Sequence, residues 1–223
     1  WGIAFFEERA CRLLMDCQPS ALSPVAHFVR SYPIKSLNVI AHIRKATQGE
    51  VNLQNCHPFV REVWGRHWVF AHNGNLIDFY PELDGTYSPI GSTDSERAFC
   101  YILQELRRVF EGRSAINPPT PVEINGALKP IAAHVASFGV FNFCLSNGQV
   151  MWTHCSTNLY FVVREYPFAT AHLLDTDVLI DFADHTTPDD RVAVIATAPL
   201  TDNEVWHKMF KNESMMFING HPL

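Results

Sequence analysis

Phe70-Ala71-His72-Asn73-Gly74-Asn75-Leu76 is the stretch on which the reading of the whole chain turns. It closes a strand-like run at Trp68–Ala71, and Asn-Gly after a strand normally makes a hairpin, because both residues tolerate positive φ. The next residues, Leu76-Ile77-Asp78-Phe79-Tyr80, make a poor returning strand. The alternative is an oxyanion hole, with the Asn73 side-chain amide and the Gly74 backbone N–H aimed at one developing negative charge. Such donors work because they are fixed before the charge forms, and losing one typically costs about 3 kcal/mol. The segment alone leaves both readings open.

On either side, runs rich in β-branched and aromatic residues mark further strands: Gly2–Phe6, Leu37–Ile43, Val140–Leu145, Val150–His154, Leu159–Val163, Val192–Ala196 and Met215–Ile218. Asn147-Gly148 and Asn219-Gly220 read as turns with positive φ. Ser23-Pro24 opens a short helix through about Val29, with Ser as cap and Pro at the first helical position. A clearer helix starts at Thr93, where Phe99, Ile102, Leu103, Leu106, Val109 and Phe110 recur at spacings of three and four and so form one apolar stripe. A third helix is expected over Lys129–Phe138. Pro118, Pro119 and Pro121 make Arg113–Val122 a stiff exposed connection. Runs of strands with helices grouped between them indicate an α+β fold of two packed sheets covered by helices, in one domain over residues 1–223.

Three other segments could carry chemistry. In His42-Ile43-Arg44-Lys45-Ala46-Thr47-Gln48-Gly49, Arg44 comes after a strand, where its planar fork suits bidentate capture of a carboxylate; a structural ion pair beside His42 is the plainer reading. In Asn55-Cys56-His57-Pro58-Phe59, the proline holds His57 out of helix, so it either lends a hydrogen bond to a site or sits in a loop. Thr93-Asp94-Ser95-Glu96 has the form of a capping box, with Asp94 complementing the helix dipole. Asp94 could equally pair with a substrate ammonium while Glu96 caps.

Composition removes several function classes. The 223 residues are 47% apolar and 18% charged with a net charge of −6, and no basic run exceeds Arg107-Arg108, so a nucleic-acid groove is not expected. The apolar stretches are far shorter than the roughly 20 residues a membrane helix needs. The six cysteines contain no C-x-x-C pair and the eleven histidines no H-E-x-x-H spacing, so neither a metal nor another cofactor is expected. Reduced thiols in a cytoplasmic protein fit this pattern.

Together and in this order, the four segments resemble the class II, N-terminal-nucleophile glutamine amidotransferases, in particular small stand-alone bacterial members in which a stretch like Trp1–Glu7 comes after the nucleophile segment. The resemblance covers essentially the whole chain and implies a four-layer αββα sandwich. It implies that Arg44 binds the glutamine α-carboxylate with Thr47 beside it. Asn73 and Gly74 would form the oxyanion hole, Asp94 would bind the α-ammonium, and His57 would line the pocket. It also implies a mature N-terminal Cys whose own α-amine is the general base, a role for which a pKa near 8 is suited. Trp1 cannot take that role, and Cys11 and Cys17 are internal and lack a free amine. The nucleophile and the first strand are therefore expected about 30–40 residues upstream of Trp1, on the scale of ordinary elements. The implied reaction is hydrolysis of the γ-amide of glutamine through a γ-glutamyl thioester, with a possible acceptor enzyme subunit for the ammonia. Two alternatives are a γ-glutamyl hydrolase acting on peptides or thiol metabolites and a non-catalytic subunit that binds γ-glutamyl compounds or a partner protein.

Overall fold

A computed structural model describes Trp1–Leu223 apart from residues 44–49, 175–178 and 183–185. In chain order, β1 (Gly2–Glu7), β2 (Ala10–Met15), α1 (Pro24–Ser31) and β3 (Val39–His42) come first. Next come β4 (Phe59–Val63), β5 (Arg66–Leu76), α2 (Asp94–Val109), α3 (Pro121–Ala136), β6 (Gly139–Ser146) and β7 (Met151–Cys155). The last third contains β8 (Tyr160–Glu165), β9 (Thr170–His172), β10 (Leu179–Asp181), β11 (Arg191–Ala196), β12 (His207–Lys208), β13 (Glu213–Ile218) and β14 (His221–Pro222). The architecture is mixed α/β.

The central element is a six-stranded sheet in the order β14-β13-β7-β6-β5-β4, antiparallel throughout. Side chains alternate between its faces. On one face Trp68, Phe70, Phe141, Phe143 and Trp152 meet Phe99, Ile102, Leu103 and Leu106 of α2 and Ile124, Leu128 and Val135 of α3. Rings set the spacing here: Phe70 stacks on Phe99 at 5.1 Å and Trp68 on Trp152 at 5.3 Å. On the other face Val69, Ala71, Met151 and Phe217 pack against Ala4 and Phe6 of β1 and Ile40 of β3. β1 is the middle strand of a second sheet, β2-β1-β3. Phe5 points away from this inner core and is covered by Tyr32 just beyond α1, with ring centroids 5.8 Å apart.

Most of the expected elements form, with four corrections. The Asn73-Gly74 hairpin does not exist: β5 runs on through both residues, and its pairing with β6 is unbroken from Val69↔Ser146 to Leu76↔Gly139. α3 begins at Pro121, eight residues before the expected Lys129, so only the first part of the proline-rich stretch is connection. Pro121 occupies the first turn, where its missing N–H costs nothing, and the true capping box is Thr120 with Glu123. Thr93 does cap α2 through Glu96 N–H, but the Glu96 carboxylate turns to Arg61 and Gly91 N–H and does not close the box. At Asn147-Gly148 only the glycine has positive φ; Asn147 accepts from Gln149 and Val150 N–H in a four-residue turn. Asn219-Gly220 forms the expected two-residue turn, both at positive φ.

His154 on β7 shows how this core depends on pH. It is almost fully buried beside Phe141 and Phe143, its Nδ1 lies 2.8 Å from Ser214 Oγ, and burial pushes its pKa down to about 4. In the unfolded chain its pKa is about 6.5, so between these values the unfolded state binds the extra proton. Stability is therefore full above the unfolded pKa and falls as pH drops toward 4, by at most about 1.4 kcal/mol per pH unit from this residue. Urea unfolding at pH 7 and pH 5 should show a smaller acid-induced loss in His154→Gln than in the wild type. Equal losses would exclude His154 as a source of the effect.

Candidate active site

The end of β5 is where the sequence motif and the topology meet. β4 pairs with β5 only as far as Phe59↔Phe70, so beyond that point β5 overhangs its neighbour by several residues. Ile77 N–H reaches Phe138 O on the β6 side, whereas Leu76 N–H donates to Asp94 Oδ2 at 2.8 Å on the opposite side. Backbone direction alternates along a strand, so Gly74 N–H also points to the Asp94 side, past the end of β4. Side chains alternate as well. Asn73 lies on the face that carries Val69 and Ala71, toward the second sheet, while His72 and Leu76 lie on the helix face. Asn73, Gly74 and Asn75 are exposed, in contrast to the buried residues just before them.

Gly74 has no substitute at this position. A Cβ there would overlap the Val140 carbonyl across the ladder and stand 2.6 Å from His72 Nε2. His72 lies beneath it, 2% exposed, with Nε2 2.9 Å from Val140 O and Nδ1 2.9 Å from Ser95 Oγ. A carbonyl can only accept, so Nε2 carries the proton and Nδ1 accepts from the Ser95 hydroxyl. Burial holds the His72 pKa below its ordinary value despite the nearby Asp94 charge, and the ring stays neutral.

The first turn of α2 locks this corner. Asp94 ties to β5 through Leu76, Ser95 to β5 through His72, and Glu96 to β4 through Arg61 at 2.6 Å. Glu96 is almost fully buried, and a carboxylate so placed needs both its Arg61 partner and Gly91 N–H at 2.7 Å.

His57 lies just before β4. It is 3% exposed, its ring lies 4.3 Å from that of His42, and its carbonyl fills the space a Cβ on Gly2 would need. Two residues earlier the fully buried Asn55 accepts from Ser92 N–H at 2.9 Å and donates to Ser92 Oγ at 3.3 Å. The His57 loop is thus fastened to the segment entering α2. The structure brings Asn73, Gly74 and Asp94 to one end of β5 and places His57 between β1, β3 and that loop. Arg44 and Thr47 lie outside the described residues. Among the described residues, no group of three His, Cys, Asp or Glu side chains could hold a metal ion.

Sequence reading misses the residues that fix the motif in place: Asn55, His72 with Ser95, and above all Asn142. Asn142 sits opposite Asn73, 2% exposed, and uses all four of its hydrogen bonds. Nδ2 donates to Asn73 O at 3.1 Å and Thr157 Oγ1 at 2.8 Å, and Oδ1 accepts from Ser156 N–H at 2.9 Å and Thr157 N–H at 3.0 Å. A lone Asn within Val140-Phe141-Asn142-Phe143 is the available signal, because a buried amide in an apolar strand must be satisfied. Asn142→Ala leaves the buried Ser156 N–H and the partly buried Thr157 N–H without acceptors, and urea unfolding should show a loss of roughly 1–3 kcal/mol. A change below about 0.5 kcal/mol would be that of an ordinary surface site and would discount the clamp.

Comparison with known proteins identifies the family. The family model for class II glutamine amidotransferases matches residues 1–223. A Haemophilus influenzae protein named "Putative glutamine amidotransferase" is 50% identical over 100% of this chain and 74% of its own length. A similarly named Escherichia coli K12 protein is 48% identical over 99% of this chain and 85% of its own. The crystal structure of a predicted glutamine amidotransferase from Pseudomonas aeruginosa superposes with a TM-score of 0.82 at 43% identity, covering 100% of this chain and 86% of that one. The glutamine phosphoribosylpyrophosphate amidotransferase from B. subtilis shares the fold alone, with a TM-score of 0.58 at 14% identity over 100% of this chain and 41% of that one. Matched along its whole length by the family model and half identical over that length to the Haemophilus influenzae protein, the chain belongs to the class II glutamine amidotransferases.

Proposed function

We propose that the protein hydrolyses the γ-amide of glutamine through a γ-glutamyl thioester, releasing glutamate and ammonia. The observation that carries this reading is the overhanging end of β5. It offers an exposed Asn73 and a Gly74 N–H that, among the described residues, has no strand partner, with the Asp94 carboxylate two residues further along the same edge. In this reading Asn73 and Gly74 stabilise the oxyanion, Asp94 holds the α-ammonium, Arg44 with Thr47 holds the α-carboxylate, and His57 walls the pocket. The neutral His72 keeps the floor under Gly74 rigid without placing a permanent charge there. The nucleophile is an N-terminal Cys outside Trp1–Leu223, with its α-amine as base, on a strand that completes a four-layer αββα sandwich. The internal thiols give that assignment physical support. Burial raises Cys11 and Cys100 to about 11 and Cys144 to about 12, and it raises Cys56 and Cys155 as well, so these five stay protonated and poorly nucleophilic at neutral pH. All six cysteines are free, a pattern compatible with a reducing compartment.

A second substrate class is compatible with the exposure of three consecutive residues, Asn73 to Asn75. A γ-glutamyl peptide would use the same Arg44, Asp94 and oxyanion donors, because only the leaving group differs. A requirement for an acceptor subunit belongs to the glutamine reading alone.

The test is steady-state kinetics on the full-length protein, with glutamine and a γ-glutamyl dipeptide compared side by side. Asn73→Ala should lower kcat by about 10²-fold or more with KM little changed, as loss of one oxyanion donor does. Arg44→Ala and Asp94→Asn should chiefly raise KM. An unchanged kcat in Asn73→Ala would overturn the oxyanion assignment. Turnover of the peptide more than about tenfold above that of glutamine would replace the leading substrate, since each such factor is about 1.4 kcal/mol of transition-state preference.

A further inference from the structure

The other end of β5 presents different chemistry. Arg66 opens the strand seven residues before Asn73, about 23 Å away at 3.3 Å per residue. Beside it lies a cavity of about 330 Å³, lined by Arg9, Arg66, Glu8 and Gln149 with Phe6 and Leu37 as its apolar wall. Three chain segments converge there: the β1–β2 turn, the start of β5, and the β6–β7 turn. The turn carrying Arg9 is fixed to β5 by His67 N–H donating to Arg9 O at 2.8 Å and by Cys11 N–H donating to His67 Nδ1 at 3.0 Å. Gly148 closes another side. Its φ is +88°, and a Cβ there would stand 2.8 Å from the Phe6 ring.

The two arginines line one cavity, and neither is ion-paired with the Glu8 carboxylate that lines it too. Arg12, Arg61, Arg108, Arg113, Arg164 and Arg191 each pair with a glutamate. Among the described residues neither Arg9 nor Arg66 makes an ion pair, and Glu8 lines the same cavity without binding either. Burial, and then the Arg9 charge, lower the pKa of Arg66, so the two guanidiniums lie close enough to repel. A folded protein keeps two like charges at one recess at a cost in stability, and an anion bound between them removes that cost.

We propose that this cavity binds a small multivalent oxyanion, held between the Arg9 and Arg66 guanidiniums with the Gln149 amide as a third donor. Guanidinium forks match the planar edges of phosphate and carboxylate and hold them bidentately. The ligand class is a phosphate ester or a polycarboxylate whose organic part rests on Phe6 and Leu37. Because the occupant would tie the β1–β2 turn to both β5 and the β6–β7 turn, it acts as an effector that braces the two sheets against each other. The site stands apart from the glutamine site, and its test does not depend on the proposed reaction.

The experiment is a thermal-unfolding titration of the full-length protein with inorganic phosphate, pyrophosphate and citrate, each against sodium chloride at matched ionic strength. A saturable rise in Tm with at least one of these anions and none with chloride is expected; whether phosphate or citrate gives the larger rise identifies the source of the ligand. Arg9→Gln and Arg66→Gln should each weaken the apparent affinity roughly tenfold or more, the scale of a lost charge-assisted hydrogen bond. Without added anion, Arg66→Gln should unfold no earlier than the wild type, because a repulsion has been removed; this also shows that the variant folds. A rise reproduced by chloride, no rise with any anion, or an undiminished response in the double variant would overturn the site.

Discussion

The site depends on one mismatch of lengths. β5 has eleven residues and its neighbour β4 has five. A ladder that ends early leaves backbone donors and acceptors on the longer strand without partners, and an unpaired buried group costs about 1–3 kcal/mol. The protein meets that constraint in two ways along the same edge. At Leu76 it supplies a side chain, Asp94, as acceptor. At Gly74 the residue is exposed, and among the described residues no strand pairs with that edge. The opposite edge is held without interruption by β6, so the donors can be exposed and still be rigid.

The first turn of α2 is the second junction. Thr93, Asp94, Ser95 and Glu96 bind four different places: their own helix, the end of β5, the His72 ring and the Arg61–Gly91 corner. A run so short in sequence thus fixes the helix to two strands at once. A local reading of Thr93–Glu96 captures only the first of these bonds. A capping box is the best use of an exposed Glu at that position, but a buried Glu is drawn to a guanidinium, since a neutral N–H alone offsets less of its desolvation.

Much of the fold is legible in the sequence because its signals are local. Strands dominated by Val, Ile, Phe and Trp stand out, as do helices with a capped start. β2 and β4 escape notice for one reason: Ala10-Cys11-Arg12-Leu13-Leu14-Met15 and Phe59-Val60-Arg61-Glu62-Val63 carry charges and border a turn or a proline, and only their pairing with β1 and β5 makes them strands. The start of α3 is hidden because Pro121 would break a helix in its interior but suits its first turn. Within the candidate site, Asn73, Gly74, Asp94 and His57 stand out only as a set in order. Asn142 and Asn55 are not, because the bonds that join them to Asn73 and Ser92 span 69 and 37 residues and no local pattern records which residue lies across.

The two ends of β5 also separate two ways of handling negative charge. An anion that arrives already charged is best met by permanent cations, whose long side chains can adjust to its shape. A charge that exists only in a transition state is best met by neutral donors held rigidly in advance, because a permanent cation would bind the ground state of other anions as well. Arg9 and Arg66 at one end fit the first case. At the other end the donors are a backbone N–H and an amide, and the imidazole beneath them has its pKa pushed down by burial so that it adds no charge. The glycine and the buried histidine are therefore parts of one device: the ring fixes the strand by bonding Val140 and Ser95, and the missing Cβ lets that ring and the Val140 carbonyl come as close as they do. A side chain at residue 74 would force these groups apart, which is why the motif requires glycine there whatever the natural leaving group proves to be.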